Sequence, residues 1–195
     1  ATAAAINDVK EEEVTKEMRY AAKAVNFGIL YGMGAFGLAW RAQIPQWQAK
    51  EFIEKYFEEF KGVKKYVDDT IEFAQEEGYV ETLFGRKRYV PELMSENFQL
   101  RAAGERMVIN MPIQGTAADI MKLAMIAVHR KLEKKDWGDD VRLVLQVHDE
   151  LILEVKEGLE KEVSELVVKE MKEVASVDVP IEANVSVAGS WGELK

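Results

Sequence analysis

The sequence predicts an α+β fold, helical through roughly its first hundred residues and mixing helices with an antiparallel sheet thereafter. Three observations carry this. Apolar residues recur at helical spacing in separate stretches between Glu11 and Glu77, punctuated by Gly and Pro. A long stretch of the same period runs from Asn97 to Lys135. Two β-rich runs, Val141 to Val147 and Leu151 to Val155, meet at the polar corner His148-Asp149-Glu150.

The first helix is expected over Glu11 to Tyr31, because acidic residues crowd its first turns and Gly32 and Gly34 follow its end. Gly32 to Gly37 then reads as a flexible turn, followed by a short segment to Ile44. Pro45 opens a second helix through Phe60, with Trp47, Phe52, Tyr56, Phe57 and Phe60 as a broad core-facing side. Gly62 separates it from a third helix, Val63 to Glu77, which Gly78 closes. The period changes over Tyr79 to Val90, where Leu83-Phe84-Gly85-Arg86 reads as a hairpin tip before Pro91. A break or kink is expected between Met111 and Gly115, since Pro112 cannot donate the helical hydrogen bond. Gly158 to Ala175 returns to helical spacing, and Pro180 to Val187 reads as a final strand.

Composition bounds function only loosely. At 195 residues, 48% hydrophobic and 31% charged, the chain can bury a real core as one large domain or two small ones. No run approaches the roughly 20 apolar residues of a membrane span, and the start lacks a basic flank. Zero cysteines exclude disulfides and thiolate-held metals and suit a cytoplasmic location. A net charge of −9 argues against bulk electrostatic wrapping of nucleic acid, yet permits a local basic lining.

Three segments concentrate chemistry. Arg19, Lys23, Phe27 and Tyr31 follow at four-residue steps, each drifting about 40° around a helix. They form one stripe, two cations then two aromatics, over roughly 18 Å of axis. Such a stripe can hold a nucleotide, cations on phosphates and rings against base and sugar, and equally can be an ordinary amphipathic face. At Asp149 and Glu150 two neighbouring carboxylates sit at a sheet corner, explained by a bound cation or by a simple wet turn. Magnesium suits such oxygen ligands and takes only one or two carboxylates, leaving room for phosphate and water. Arg106 and Asn110 share a helix face, with Gln114 just beyond; they can reach base edges and sugars or cap helix ends around Pro112.

Taken together, Arg19-x3-Lys23-x3-Phe27-x3-Tyr31-Gly32 resembles motif B of the family A DNA polymerases, the bacterial DNA polymerase I type. Gln146-Val147-His148-Asp149-Glu150 resembles that family's motif C. The run Asn110-x-Pro112-x-Gln114-Gly115-Thr116-Ala117-Ala118-Asp119, and Thr82-Leu83-Phe84-Gly85-Arg86, also fit, so the resemblance spans essentially the whole chain.

The resemblance implies helical fingers over 1–100, with the motif B helix at about 11–31. It implies the C-terminal half of an antiparallel-sheet palm over 101–195, with the motif C hairpin at about 141–155. Arg19 and Lys23 would contact the incoming triphosphate, and Lys23 would also protonate departing pyrophosphate. Phe27 would lie against the nucleotide, and phenylalanine there is similar to members that disfavour dideoxynucleotides. Tyr31 would pack near the templating position. Asp149 would hold magnesium in a two-ion site, with Glu150 beside it in a lesser catalytic or a structural role. Arg106, Asn110, Gln114, Gln146 and His148 would follow the primer–template DNA.

The implied reaction is transfer from a dNTP to a primer 3′ hydroxyl. The family's other metal-binding aspartate, in motif A, is expected upstream of the motif B helix, and Ala1 to Ala5 resembles the segment that follows it. The expectation is therefore a C-terminal polymerase portion, inactive alone, whose partner portion carries motif A and the thumb, possibly as a separate chain. The alternatives are a non-catalytic primer–template-binding fragment and a purely structural module.

Overall fold

The computed structural model describes residues 3–4 and 9–194, apart from the side chains of Ala21 and Ala24. Most of Ala1 to Ala5, the segment expected to follow motif A, therefore lies outside the described residues. The chain divides into two compact units, Ala1–Ile113 and Gln114–Lys195.

In the first unit, Glu11–Glu13 form a single 3-10 turn, and helix α1, which carries the stripe, spans Lys16–Leu30. The expected start at Glu11 is thus corrected. Thr15, extended at ψ 169°, caps the helix by accepting from the Met18 N–H at 3.2 Å, so the chain turns into the helix there. Helix α2, Ala35–Ala42, occupies much of the stretch expected to be irregular, and Gly37 lies inside it. Gln43, left-handed at φ 53°, ends it. Helix α3, Gln46–Glu59, starts after Pro45 as expected. Val25 and Ile29 of α1, Leu38 of α2 and Ala49 of α3 form one buried core, with Phe52, Tyr56 and Phe57 packed against it. Trp47 and Phe60 depart from the expected core side, at 68% and 45% exposed.

Helix α4, Lys61–Glu77, begins one residue after α3 ends, so Gly62 sits within its first turn and separates nothing. Gly78 at φ 77° closes it, the left-handed position that favours glycine. Strands β1, Tyr79–Glu81, and β2, Lys87–Tyr89, pair antiparallel as a hairpin. The buried Thr82 hydroxyl fastens its tip, accepting from the N–H groups of Phe84 and Arg86 at 3.2 Å each. Ala74, Val80, Val90, Leu93 and Val108 form the second core beneath it.

Helix α5 runs unbroken from Phe98 to Lys135 with Pro112 inside it, so of the break or kink expected there, the break is corrected. The proline frees only the Val108 carbonyl from its helical partner. One residue on, the Ile109 carbonyl accepts from the Tyr66 hydroxyl of α4 at 2.8 Å, a tertiary bond that holds this turn in place.

In the second unit, strands β3, Val141–Val147, and β4, Glu150–Val155, form an antiparallel hairpin, and helix α6 spans Glu160–Glu173. Val128, Leu132, Val141, Val163 and Val167 make its buried core. Each fully buried valine there contributes about 1.5–3 kcal/mol relative to exposure. The strand expected at Pro180 to Val187 is absent. Val179, Val185 and Val187 are exposed, so the alternation of that segment finds no strand to pair with among the described residues. No helix among the described residues is long and apolar enough to cross a membrane.

Candidate functional site

The α1 stripe keeps its order in three dimensions but serves two cavities. Arg19, Lys23 and Phe27 line a cavity of about 600 Å³, closed on other sides by Tyr56 and Phe60. Phe27 and Tyr31 line a second cavity of about 500 Å³ with Gly32, Arg41 and Arg106. Phe27 belongs to both. Its ring stacks on Tyr31 with centroids 6.0 Å apart and planes 28° off parallel, and the Lys23 Nζ lies 5.8 Å from its centroid. Phe27 is 45% exposed, so the stripe is not a buried amphipathic face. Among the described residues neither Arg19 nor Lys23 has an ion-pair partner, leaving two cations directed at solvent beside an aromatic wall.

The start of α1 is electrostatically tuned as well. The backbone N–H of Glu17 and then the Thr15 hydroxyl hold the Glu17 carboxyl below the usual glutamate range. A negative charge in the first turn favours the helix that carries the stripe.

Sequence reasoning missed Arg41, Asn26 and the cavity role of Tyr56 and Phe60. Asn26 was legible, standing one position before Phe27 on the edge of the stripe. Tyr56 and Phe60 gave the signal of core aromatics, and only tertiary packing separates a core from a cavity wall.

Along α5, Arg106, Asn110 and Gln114 follow at four-residue steps because the helix is continuous through Pro112. Arg106 and Gln114 are exposed, whereas the Asn110 Oδ1 is buried without a hydrogen-bond partner. Such an orphaned acceptor costs about 1–3 kcal/mol, a cost typical of groups kept for a ligand.

In the second unit, β3 and β4 join through the two-residue loop His148-Asp149, so Glu150 already belongs to β4. His148 takes φ 51°, a left-handed conformation that non-glycine residues adopt seldom. The Gln146 Nε2 donates to the His148 carbonyl at 2.6 Å and clamps the loop. Register passes from Leu143↔Leu153 to Leu145↔Ile152, leaving Val144 as an extra residue in a bulge. Paired residues share a face, so Gln146 joins Leu151, Leu153 and Leu143, while Leu145 and Val147 turn to the opposite side. Gln146, His148, Asp149 and Glu150 are all exposed. Among the described residues no three His, Asp or Glu side chains gather to hold a metal ion. Two exposed carboxylates are nonetheless the right hard donors for the protein share of a magnesium site.

A model of DNA polymerase family A matches residues 1–193. The chain belongs to DNA polymerase family A. It is 47% identical to DNA polymerase I of Pseudomonas aeruginosa over 193 residues, 99% of this chain and 21% of that protein. To the thermostable DNA polymerase I of Thermus aquaticus it is 45% identical over 194 residues, all of this chain and 23% of the relative. It thus spans about a fifth of the length of the curated relatives it matches. The fold is similar to the POL domain of Pol1 from M. smegmatis, in complex with DNA primer-template and dNTP. That match has a TM-score of 0.85 and 44% identity, covering 93% of this chain and 32% of the other. Family membership gives the mixed helical and antiparallel architecture its context, that of a DNA polymerase I polymerase domain.

Proposed function

We propose that this chain contributes the nucleotide-binding helix and one metal-binding corner of a DNA polymerase active site. The reaction is transfer of a nucleotide from a dNTP to a primer 3′ hydroxyl. The observation that carries the reading is the α1 stripe: unpaired Arg19 and Lys23 beside a half-exposed Phe27, in one cavity.

Arg19 and Lys23 neutralise the triphosphate, and the mobile ammonium of Lys23 delivers a proton to the leaving pyrophosphate. Phe27 meets the sugar and base of the incoming nucleotide, and Tyr31 borders the templating position. Asp149, with Glu150 beside it, would hold Mg²⁺, which when bound supplies charge stabilisation at the reacting phosphate. The second aspartate of the two-ion site, and the thumb, come from polypeptide outside these 195 residues, in cis or as a separate chain. Arg106, Asn110, Gln114, Gln146 and His148 grip primer–template. Positioning and charge neutralisation supply most of the acceleration.

The decisive experiment mixes the purified chain with a polymerase portion bearing motif A and the thumb, then follows primer extension with Mg²⁺ and dNTPs. Extension by the mixture, silence from either part alone, and loss with Lys23→Ala or Asp149→Ala support the reading. Extension by the isolated chain overturns the need for a partner. Tight primer–template binding without restored extension supports the alternative, a non-catalytic grip built on Arg106, Asn110 and Gln114.

A further inference from the structure

We propose that Arg41 anchors a backbone phosphate of the unpaired template strand, in the cavity that shares Phe27 with the nucleotide cavity. The proposal rests on the functional reading above and extends it to the second strand. The 500 Å³ cavity has three kinds of wall. The stacked rings of Phe27 and Tyr31 give one, and Met33, packed over Gly28, gives another with Gly34 beside it. Arg41, from the last turn of α2, and Arg106, from α5, give the third.

No acidic side chain lines this hollow, although the chain as a whole carries −9. Both guanidinium groups are exposed, and among the described residues neither has an ion pair or hydrogen bond. The charge pattern therefore selects an anion, and the flat aromatic wall selects a ring that stacks with little regard to base identity. Together they describe a nucleotide unit. Gly34, with nothing within 4 Å of where a Cβ would lie, leaves room for a sugar–phosphate backbone to come close.

A free nucleotide and a unit within a strand share this chemistry, and two features favour the strand. Arg19 and Lys23 sit on one stripe, an arrangement suited to the clustered charges of a triphosphate. Arg41 and Arg106 instead approach from two separate elements, which suits single phosphates of a chain that enters and leaves. Phe27 also lines both cavities, so an occupant here is one ring away from the incoming nucleotide. Template-directed synthesis requires a second nucleotide unit at that distance. Arginine is the better anchor, because its planar fork meets phosphate oxygens two at a time.

The test compares the unaltered chain, Arg41→Gln and Arg41→Lys. Each is titrated against a labelled primer–template with a single-stranded 5′ extension, a blunt duplex of the same sequence, and free dNTP. Salt is varied between about 50 and 200 mM. Arg41→Gln is expected to bind the extended template several-fold more weakly, with the salt slope lower by about 0.7, the value for one single-strand phosphate contact. Its affinities for blunt duplex and free dNTP stay at the unaltered level, and Arg41→Lys recovers the slope.

Equal slopes for the unaltered chain and Arg41→Gln overturn the proposal, as does a loss shared by the blunt duplex or confined to free dNTP. Failure of the unaltered chain to bind any of the three overturns the functional reading beneath it. Normal duplex and dNTP binding with an unchanged extension slope overturns Arg41 alone. Far-ultraviolet circular dichroism of Arg41→Gln matching the unaltered chain ties any loss to the missing cation and not to unfolding.

Discussion

Gly32→Ala tests whether the turn after α1 controls where Arg106 lies. Gly32 holds φ 79°, and a residue with a Cβ pays about 1–2 kcal/mol in that left-handed region. Lower freedom of the unfolded chain offsets about 0.4–1 kcal/mol of this. The added Cβ would also lie 3.0 Å from the Arg106 Cγ and 3.5 Å from the Ile109 Cδ1. The arginine stem is flexible, so it yields and carries its guanidinium away from the cavity it lines. Gly78→Ala is the matched control, with φ 77° and nothing within 4 Å of the new carbon. Both variants should lose about 1 kcal/mol in urea unfolding, or roughly 2–4 °C in melting temperature. Gly32→Ala alone should lose primer–template affinity. The reasoning fails if Gly78→Ala is neutral, or if Gly32→Ala binds as tightly as the parent.

Two further outcomes are expected besides the complementation and Arg41 experiments. Pro112→Ala should stabilise the chain by about 2 kcal/mol, since an interior proline costs about 3 relative to alanine and stiffens the unfolded chain by less. An unchanged or lower urea midpoint would show that the Val108 carbonyl gains nothing from a restored N–H. Tyr66→Phe removes the 2.8 Å bond to the Ile109 carbonyl and should cost about 1 kcal/mol at neutral pH. Burial, only partly opposed by Thr70, holds the Tyr66 phenol above its ordinary value. Its contribution is therefore complete below about pH 10 and fades as pH rises through the folded value. Alkaline unfolding curves of Tyr66→Phe should accordingly be shallower than the parent's, and superimposable curves would refute the assignment.

Much of this architecture was legible before the structure because local chemistry and tertiary packing agree. Pro45, Gly78 and the Thr82-to-Arg86 tip end or begin elements where backbone sterics and hydrogen bonding leave little choice. The His148-Asp149 corner was visible from two β-branched runs with nothing between them but polar residues. Failures came where packing overruled local preference. The Gly32-to-Gly37 run reads as a loop, yet Leu38 is buried against α1 and α3 and draws Ala35–Ala42 into a helix. Pro112 reads as a break, yet it sits in a helix anchored on both sides by buried valines, Val108 and Val128. Conversely, Pro180 to Val187 has ideal alternation and no neighbour to pair with among the described residues, so the pattern stays unrealised. Within the candidate site the stripe was readable because helical spacing is a local property. That it divides between two cavities, with Arg41 on the far one, depends on where α2 packs.

The extra residue at Val144 shapes the acidic corner without deciding which residues pair. Val144 has no partner across the hairpin, so deleting it would leave Leu143 opposite Leu153 and Gln146 opposite Leu151 in one regular ladder. What would go is the bend and added twist that a bulge gives its strand, and with them the direction in which β3 delivers His148 and Asp149. Deleting a paired neighbour such as Leu145 would merely let Val144 take its place opposite Ile152. An insertion is the harsher change, since a second unpaired residue has no place in the ladder.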